Sequence, residues 1–459
     1  MSLLYLSNEN AKVAIKTLSG IIKRISINQT VMPGTVWGSL MCTSTMDELP
    51  KQAYEKPEDL YMYKGVLIPP LEMIDDILTV TSAEKTLSMN NMVNTFVEHK
   101  RLKLSGTKCH RIHIGKGHKD CPSVKVHGAQ MKDSESEKYL GDLIDTSGMI
   151  NATIDHRKSK GTGIISEIVS IVEEIPFGKH KIGVAMKLRE AMLINGLLYN
   201  SEAWHGVTKK HIKSLEAIDQ ALLRNILNSH SKTPTEFLYL ESGAVPIWWI
   251  IAQRRILFLK HIMRKHDQDL VKQVFLAQQA SPTQGDFVTL VQKDLDDLKI
   301  TYEEATSSVI SISQLKDKLK KNAIDAAFVE LKLTLSTHKK VKHIHYSSLK
   351  MQSYLKSDLL SCDEKKQLTN FRAQCVRTMK THFKKMYKNV SCPLQCLNSE
   401  DTPEHLLVCP KIKHEESYRS NISQIFQNVT EQEQIGKVLS NLMRQRLKIL
   451  KHIEESNSI

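Results

Sequence analysis

Residues 69–80 read Pro69-Pro70-Leu71-Glu72-Met73-Ile74-Asp75-Asp76-Ile77-Leu78-Thr79-Val80. The proline pair stiffens the entry and Ile77-Leu78-Thr79-Val80 is β-prone, so the stretch predicts a tight hairpin carrying Asp75 and Asp76 at its tip. Two adjacent acids in an apolar setting leave two readings. One is a solvated turn, where aspartate is common because its side chain bonds nearby backbone. The other is a metal-dependent phosphoryl-transfer site, which needs such carboxylates because Mg²⁺ prefers hard oxygen ligands and two ions must bridge the attacking and leaving oxygens.

Outward from the hairpin, residues 1–143 mix an initial helical stretch and a helix from Thr35 with β-prone runs at 21–27, 61–67, 77–80 and 109–114. Turn residues such as Pro33, Gly34, Gly65 and Gly115 punctuate them, which predicts an α+β domain with an antiparallel sheet. Past Gly148 the period becomes helical. Ile212, Leu215, Ile218, Leu222 and Ile226 recur every three to four residues behind Thr208, a candidate N-cap. Breaks are expected at Gly178, Thr233-Pro234, Gly243 to Pro246, 282–285, Pro393 and Pro403. No fixed-period repeat or long low-complexity segment is present.

The 459 residues suggest two or three domains. Lysine and arginine number 64 against 50 aspartates and glutamates, a net charge of +14 that favours polyanionic partners such as nucleic acid without selecting one. The longest apolar run, 244–252, is far short of the roughly 18 residues of a membrane span, so no membrane partner is expected. The eight cysteines are scattered except for the last three, which is no disulfide framework and fits reduced thiols or metal ligands in an intracellular protein.

Those three belong to Cys392-x3-Cys396-x8-His405-x3-Cys409. Three thiolates and an imidazole at these intervals let one short loop and one helical turn close a tetrahedron around Zn²⁺. His405 and Cys409, four apart, are expected on one helix face. The approach through 380–388, with Arg377, Phe383 and Tyr387, alternates basic and aromatic residues as a single-strand binder would. A second group, Cys109, His110, His113, His118 and Cys121, reads as a strand whose alternate residues face opposite sides. The His338, His343, His345 and 339–342 cluster reads as a basic surface.

Around the acidic hairpin lie further motifs in a fixed order. Upstream is Pro33-Gly34-Thr35-Val36-Trp37-Gly38-Ser39-Leu40, a glycine turn entering an apolar helix. Downstream come Lys103-Leu104-Ser105-Gly106-Thr107-Lys108-Cys109 and Glu137-Lys138-Tyr139-Leu140-Gly141. Glycine turn, paired aspartates, lysine and Leu-Gly hairpin in that order resemble the palm of reverse transcriptases of non-LTR (LINE-type) retrotransposons. The likeness continues through 134–148, Met192-Leu193-Ile194-Asn195-Gly196, Glu202-Ala203-Trp204 and Phe237-Leu238-Tyr239-Leu240-Glu241-Ser242-Gly243. Cys-Pro-Leu at 392–394 and Glu404-His405-Leu406-Leu407 before Cys409-Pro410 resemble the C-terminal CCHC knuckle of such proteins.

The resemblance implies an α+β partial polymerase palm at 1–143, a mostly helical thumb at 144–235, a basic helical connector at 236–390, a zinc knuckle at 391–410 and a helical tail at 411–459. It makes Asp75 and Asp76 the Mg²⁺-binding carboxylates of an RNA-directed DNA polymerase. Gly34 and Thr35 become the template- and nucleotide-contacting loop, Lys108 the general acid for the leaving pyrophosphate, with Lys103 competing for that role, and Leu140-Gly141 the primer grip. Arg157, Lys158, Lys160, Lys209 and Lys210 become candidate phosphate contacts of the thumb. RNA template, DNA primer and deoxynucleotides would be the ligands, in the nucleus or cytoplasm, where such elements replicate. The chain also departs from the family. Pro33 replaces the usual glutamine, Met73 replaces an aromatic, and residues 1–27 contain no aspartate to serve as the third metal ligand. The expectation is a polymerase portion that does not polymerise by itself, or a binding remnant that keeps thumb and knuckle.

Overall fold

The computed structural model describes residues 12–17, 20–26, 36–115, 121–126, 128–148, 150–175, 180–338, 341, 344–376, 378, 390–396, 399–412 and 429–456. Chain contacts divide it into two compact units. One comprises Met1–Lys138, Ile144–Gly148 and His266–Ser281; the other comprises Tyr139–Leu143, Met149–Lys265 and Pro282–Ile459. Most of the thumb and connector, and the whole of the 391–459 stretch, read from the sequence as separate domains, fall in one unit, while Ile144–Gly148 and the helix Leu270–Ala280 group with the first.

The first unit builds small hairpins around short helices. In place of one antiparallel sheet, the described strands form six separate two-stranded pieces, one of them parallel, His110–Arg111 beside Lys132–Asp133. The reason is local: short strands joined by tight turns close on their own neighbours. The β-prone run at 61–67 is one such hairpin, Tyr61–Tyr63 against Val66–Ile68, because Lys64 (φ 48°) and Gly65 (φ 84°) form a two-residue left-handed turn. The core below contains Met46 and Leu49 from one side and Val93, Phe96 and Val97 of the helix Thr86–His99 from the other. Cys42, Ile77 and Leu104 pack onto it.

The second unit is helical. Its core gathers Ile154 and Ile168 of the helix Asn151–Glu174, Leu193 and Leu197 of the segment after Lys181–Leu188, Leu215 and Leu222 of Lys209–Ile226, and Ile247 and Ile251 of Ile247–Met263. The apolar stripe read at 212–226 is this core face, and Thr208 caps its helix. The Thr208 hydroxyl accepts from His211 N–H at 3.4 Å, while the His211 ring accepts from Thr208 N–H at 3.2 Å.

Buried ion pairs tie distant segments together. Arg189 donates two 2.6 Å hydrogen bonds to Asp219, which also accepts from Tyr239 at 3.2 Å. Glu241 accepts from Arg372 at 2.5 Å, from Tyr346 at 2.7 Å and from Tyr354 at 2.8 Å. Arg255 lies 3.1 Å from Asp294, both fully buried. Each partner would be expensive to bury alone.

The helix Thr235–Ser242 ends at Gly243, whose φ of 71° lies in the left-handed region that suits glycine. A Cβ there would stand 2.2 Å from the backbone nitrogen of Met351 and 2.6 Å from the carbonyl carbon of Lys350. Backbone cannot yield as a side-chain tip can. Gly243→Ala is therefore expected to cost at least ~3 kcal/mol, or to prevent folding of the second unit, read as the midpoint of denaturant unfolding. Gly206→Ala, whose added Cβ meets no atom within 4 Å, serves as the control for a left-handed glycine in open space. Equal loss at both positions would contradict the close-approach argument.

Candidate functional site

The Cys3His module is built from a short loop and a short helix. Cys392 N–H donates to Ser399 O at 2.8 Å, Gln395 N–H to Cys392 O at 3.0 Å, and Asp401 N–H to Val390 O at 2.8 Å, so the loop carrying Cys392 and Cys396 folds back on itself. Thr402 caps the helix Pro403–Val408 by accepting from His405 N–H at 3.0 Å, with Pro403 in the first turn. His405 lies inside that helix. Cys409 stands just past its end in extended conformation (φ −62°, ψ 118°), not on the same helix face as expected, and this brings its sulfur round to the other ligands.

The four ligand atoms lie within 4.8 Å of one another, and the Cys396 and Cys409 sulfurs are 3.5 Å apart. All three cysteines are buried. Burial and the neighbouring thiols push Cys409 up to about 12, and burial raises Cys392 as well. These two thiols resist ionisation unless a cation enters. The Nε2 of His405 is buried without a hydrogen-bond partner among the described residues, and a ring nitrogen of His405 lies within the cluster. Donor set, separation and orphan nitrogen fit a soft or borderline divalent metal such as zinc. Among the described residues this is the one convergent group of three or more possible metal ligands.

A feature that sequence spacing missed anchors the module. Asp401, fully buried between the two ligand pairs, accepts from Arg446 of the helix Val429–Ser456 at 2.7 and 2.5 Å. Ser440 of the same helix donates to Asp363 at 2.8 Å. The Cys3His loop is thus docked on the helix Val429–Ser456. No local pattern signals a pair 45 residues apart.

The acidic hairpin is present in the first unit, with one adjustment. Leu71–Met73 pairs with Asp76–Leu78, and Met73 faces Asp76, so Asp76 begins the second strand while Ile74 and Asp75 form the turn. Ile74 has a φ of 61°, strained for a β-branched side chain. Its carbonyl accepts from the Cys42 thiol at 3.3 Å, a contact that secures the turn to the helix Val36–Met46. Asp75 and Asp76 are exposed.

Strand alternation puts Glu72 on the side of Ile77, toward the core. Desolvation, then the charge of Asp47, pushes its carboxyl up to about 7, and its Oε1 is buried with no hydrogen-bond partner among the described residues. Sequence reading passed over this acid, although its place between two apolar residues of a short strand was visible. No third ligand converges with Asp75 and Asp76 among the described residues. That pair alone does not make a two-Mg²⁺ site.

The remaining expected residues are scattered. Gly34 and Thr35 lie outside the described residues, as do residues 380–388, Arg377, Gly178, His118 and His343. Lys108 is exposed in a turn in which its N–H donates to Ser105 O at 2.9 Å. His110 pairs with Glu137 at 2.9 Å and His113 with Asp133 at 3.2 Å, so these histidines bind acids and do not converge.

Leu140 (φ 48°) and Gly141 (φ 91°) form the two-residue turn between Ser136–Tyr139 and Asp142–Asp145, the hairpin expected there. Arg157 does not face solvent as a phosphate contact would. It is buried, donates to Gly141 O at 3.0 Å and to Asp142 at 2.5 Å, and stacks over Tyr199 at 5.0 Å. Asn200 donates to Leu140 O at 3.3 Å and to Asp142 at 3.0 Å. Lys160, Lys209 and Lys210 are exposed, and Lys158 pairs with Asp155 at 3.2 Å.

With the geometry in view, comparison with known proteins adds no assignment: no family model matches the chain, and no curated protein does. No helix among the described residues is long and apolar enough to cross a membrane.

The metal reading makes a direct prediction. The purified chain should carry one zinc per molecule by elemental analysis. Cys409→Ser should lose it, and affinity should fall as pH drops because protons compete for the thiolates. Arg446→Met should keep the four ligands yet weaken metal retention during chelator competition by roughly 10- to 100-fold, as outer-shell losses do. Zinc retained at parental strength in Cys409→Ser would exclude this ligand set.

Proposed function

We propose that the chain is polymerase-derived, carrying palm, thumb and knuckle portions of a non-LTR, LINE-type reverse transcriptase, and that its own activity is binding RNA template and DNA primer rather than adding nucleotides. The carrying observation is packing in the first unit. The helix Val36–Met46 through Cys42, the acidic hairpin through Ile77, and the lysine segment through Leu104 meet on one small core. Motifs that are separately weak in sequence share a scaffold, as residues of one site would. The left-handed Ile74 adds strain at the tip that bears Asp75, and strain of this kind clusters at functional sites.

In this reading Gly34 and Thr35 contact template and incoming deoxynucleotide, Lys108 would protonate the leaving pyrophosphate, and Leu140-Gly141 would grip the primer. Full nucleotidyl transfer needs Mg²⁺ on Asp75 and Asp76 plus a further carboxylate. The binding-only reading is favoured by one observation, that no third ligand converges with the pair among the described residues. Electrostatic attraction comes from the net charge of +14, and the Cys3His module presents a metal-fixed turn for unstacked bases. Within cells the reading places the chain with its nucleic acid, in nucleus or cytoplasm.

Primer extension on an RNA template with Mg²⁺ and four deoxynucleotides tests this, comparing the parent with an Asp75→Ala, Asp76→Ala double variant. Neither is expected to extend the primer, and both should shift the RNA–DNA hybrid in a gel. Extension by the parent that vanishes in the double variant would overturn the binding-only claim and establish the polymerase site. Absence of any hybrid shift would overturn the whole reading.

A further inference from the structure

In the second unit, the helices Asn151–Glu174, Lys181–Leu188, Lys209–Ile226 and Cys362–Arg372 line a half-open cavity of about 250 Å³. Its walls are largely apolar, with Ile168, Val172, Ile182, Leu222 and Leu355. Lys365 lines it with only 4% of its surface exposed. Its stem packs along the wall while its Nζ keeps some exposure. Among the described residues Lys365 makes no ion pair: Cys362 and Asp358 act on it only through their electrostatic influence. Desolvation pushes its ammonium below the ordinary lysine range.

The other charged groups on the cavity are Lys181, Lys366 and the exposed Glu173, with the amides of Asn225 and Asn228 beside them. The balance is cationic. An ammonium on the wall of a largely apolar cavity, with no ion-pair partner among the described residues, is a half-site for an anion. The volume lies below the ~300–1,000 Å³ typical of drug-sized ligands, which limits the occupant to a small molecule.

We propose that this cavity binds a small monoanion with an apolar body, a short acyl or aryl carboxylate, with its carboxylate on Lys365 and its tail against Ile168, Ile182 and Leu222. The site is independent of the nucleic-acid reading, since it uses neither the acidic hairpin nor the Cys3His module. It assigns the unpaired lysine a function that helix packing does not.

Calorimetric titration of the zinc-loaded full chain tests this, with hexanoate as probe and hexanol and hexylamine as controls. Hexanoate is expected to bind at least tenfold more tightly than either control. Lys365→Met should lose at least tenfold in hexanoate affinity, while its ligand-free unfolding midpoint stays equal to or above the parent's, because an unpaired, partly desolvated charge has been removed. Ala185→Leu, which narrows the cavity and leaves Lys365 in place, should also lose hexanoate and keeps the test decisive if Lys365→Met does not fold. Equal binding of hexanoate and hexanol, no binding of hexanoate, unchanged affinity in either variant, or a lowered ligand-free midpoint in Lys365→Met would each overturn the proposal.

Discussion

The carboxylate of Glu241 holds the second unit in register. It is fully buried, and it would be strongly destabilising there without the guanidinium of Arg372 and the hydroxyls of Tyr346 and Tyr354. These partners lie 105 to 131 residues further along the chain, so the charge can be accommodated only when that whole span has folded back. The backbone agrees with the side chain: Gln352 N–H donates to Glu241 O at 3.0 Å, and Gly243 two residues on admits the backbone at 350–351 where any Cβ would exclude it. Thr369 closes the set through the Tyr354 hydroxyl at 2.8 Å. Removing one member leaves the others buried and unpaired, which costs more than the pair contributes.

Other ionic ties repeat this logic. Arg189 with Asp219 fixes the segment after Lys181–Leu188 to the helix Lys209–Ile226, and Arg446 with Asp401 fixes the C-terminal helix to the Cys3His loop. The second tie matters for function. A metal at the four ligands would order the loop that holds Asp401, and the docked helix in turn holds that loop in place.

Much of the local structure was legible in the residues. The stripe Ile212, Leu215, Ile218, Leu222, Ile226 and its cap Thr208 follow from helical period and side-chain capping. The Leu140-Gly141 turn follows from glycine next to an alternating pair, and the Cys3His set from ligand spacing alone. What stayed hidden depends on contacts between distant segments. Glu241 with Arg372, Asp401 with Arg446, and the burial of Arg157 against Asp142 leave no periodic trace, and arginine in a helix reads by default as a surface group. The acidic hairpin was placed correctly but one residue out of phase, because turn length decides whether Asp76 sits at the tip or opens the strand. Glu72 was overlooked because its burial depends on which strand face meets the core, and register decides that.

The two candidate sites differ in closure. The Cys3His cluster is buried and converges within 4.8 Å, whereas the Asp75-Asp76 pair is exposed on a strained turn and gathers no third ligand among the described residues. This contrast underlies the proposal that the chain binds nucleic acid without itself extending a primer. The most direct test is the affinity for single-stranded RNA across a range of salt concentrations, for zinc-loaded parent and for Cys396→Ser. The account predicts that the logarithm of affinity falls linearly with the logarithm of salt, at about −0.7 per phosphate neutralised, and that loss of the metal weakens binding at every salt concentration. Affinity that ignores salt, or that is identical with and without the metal site, would contradict it.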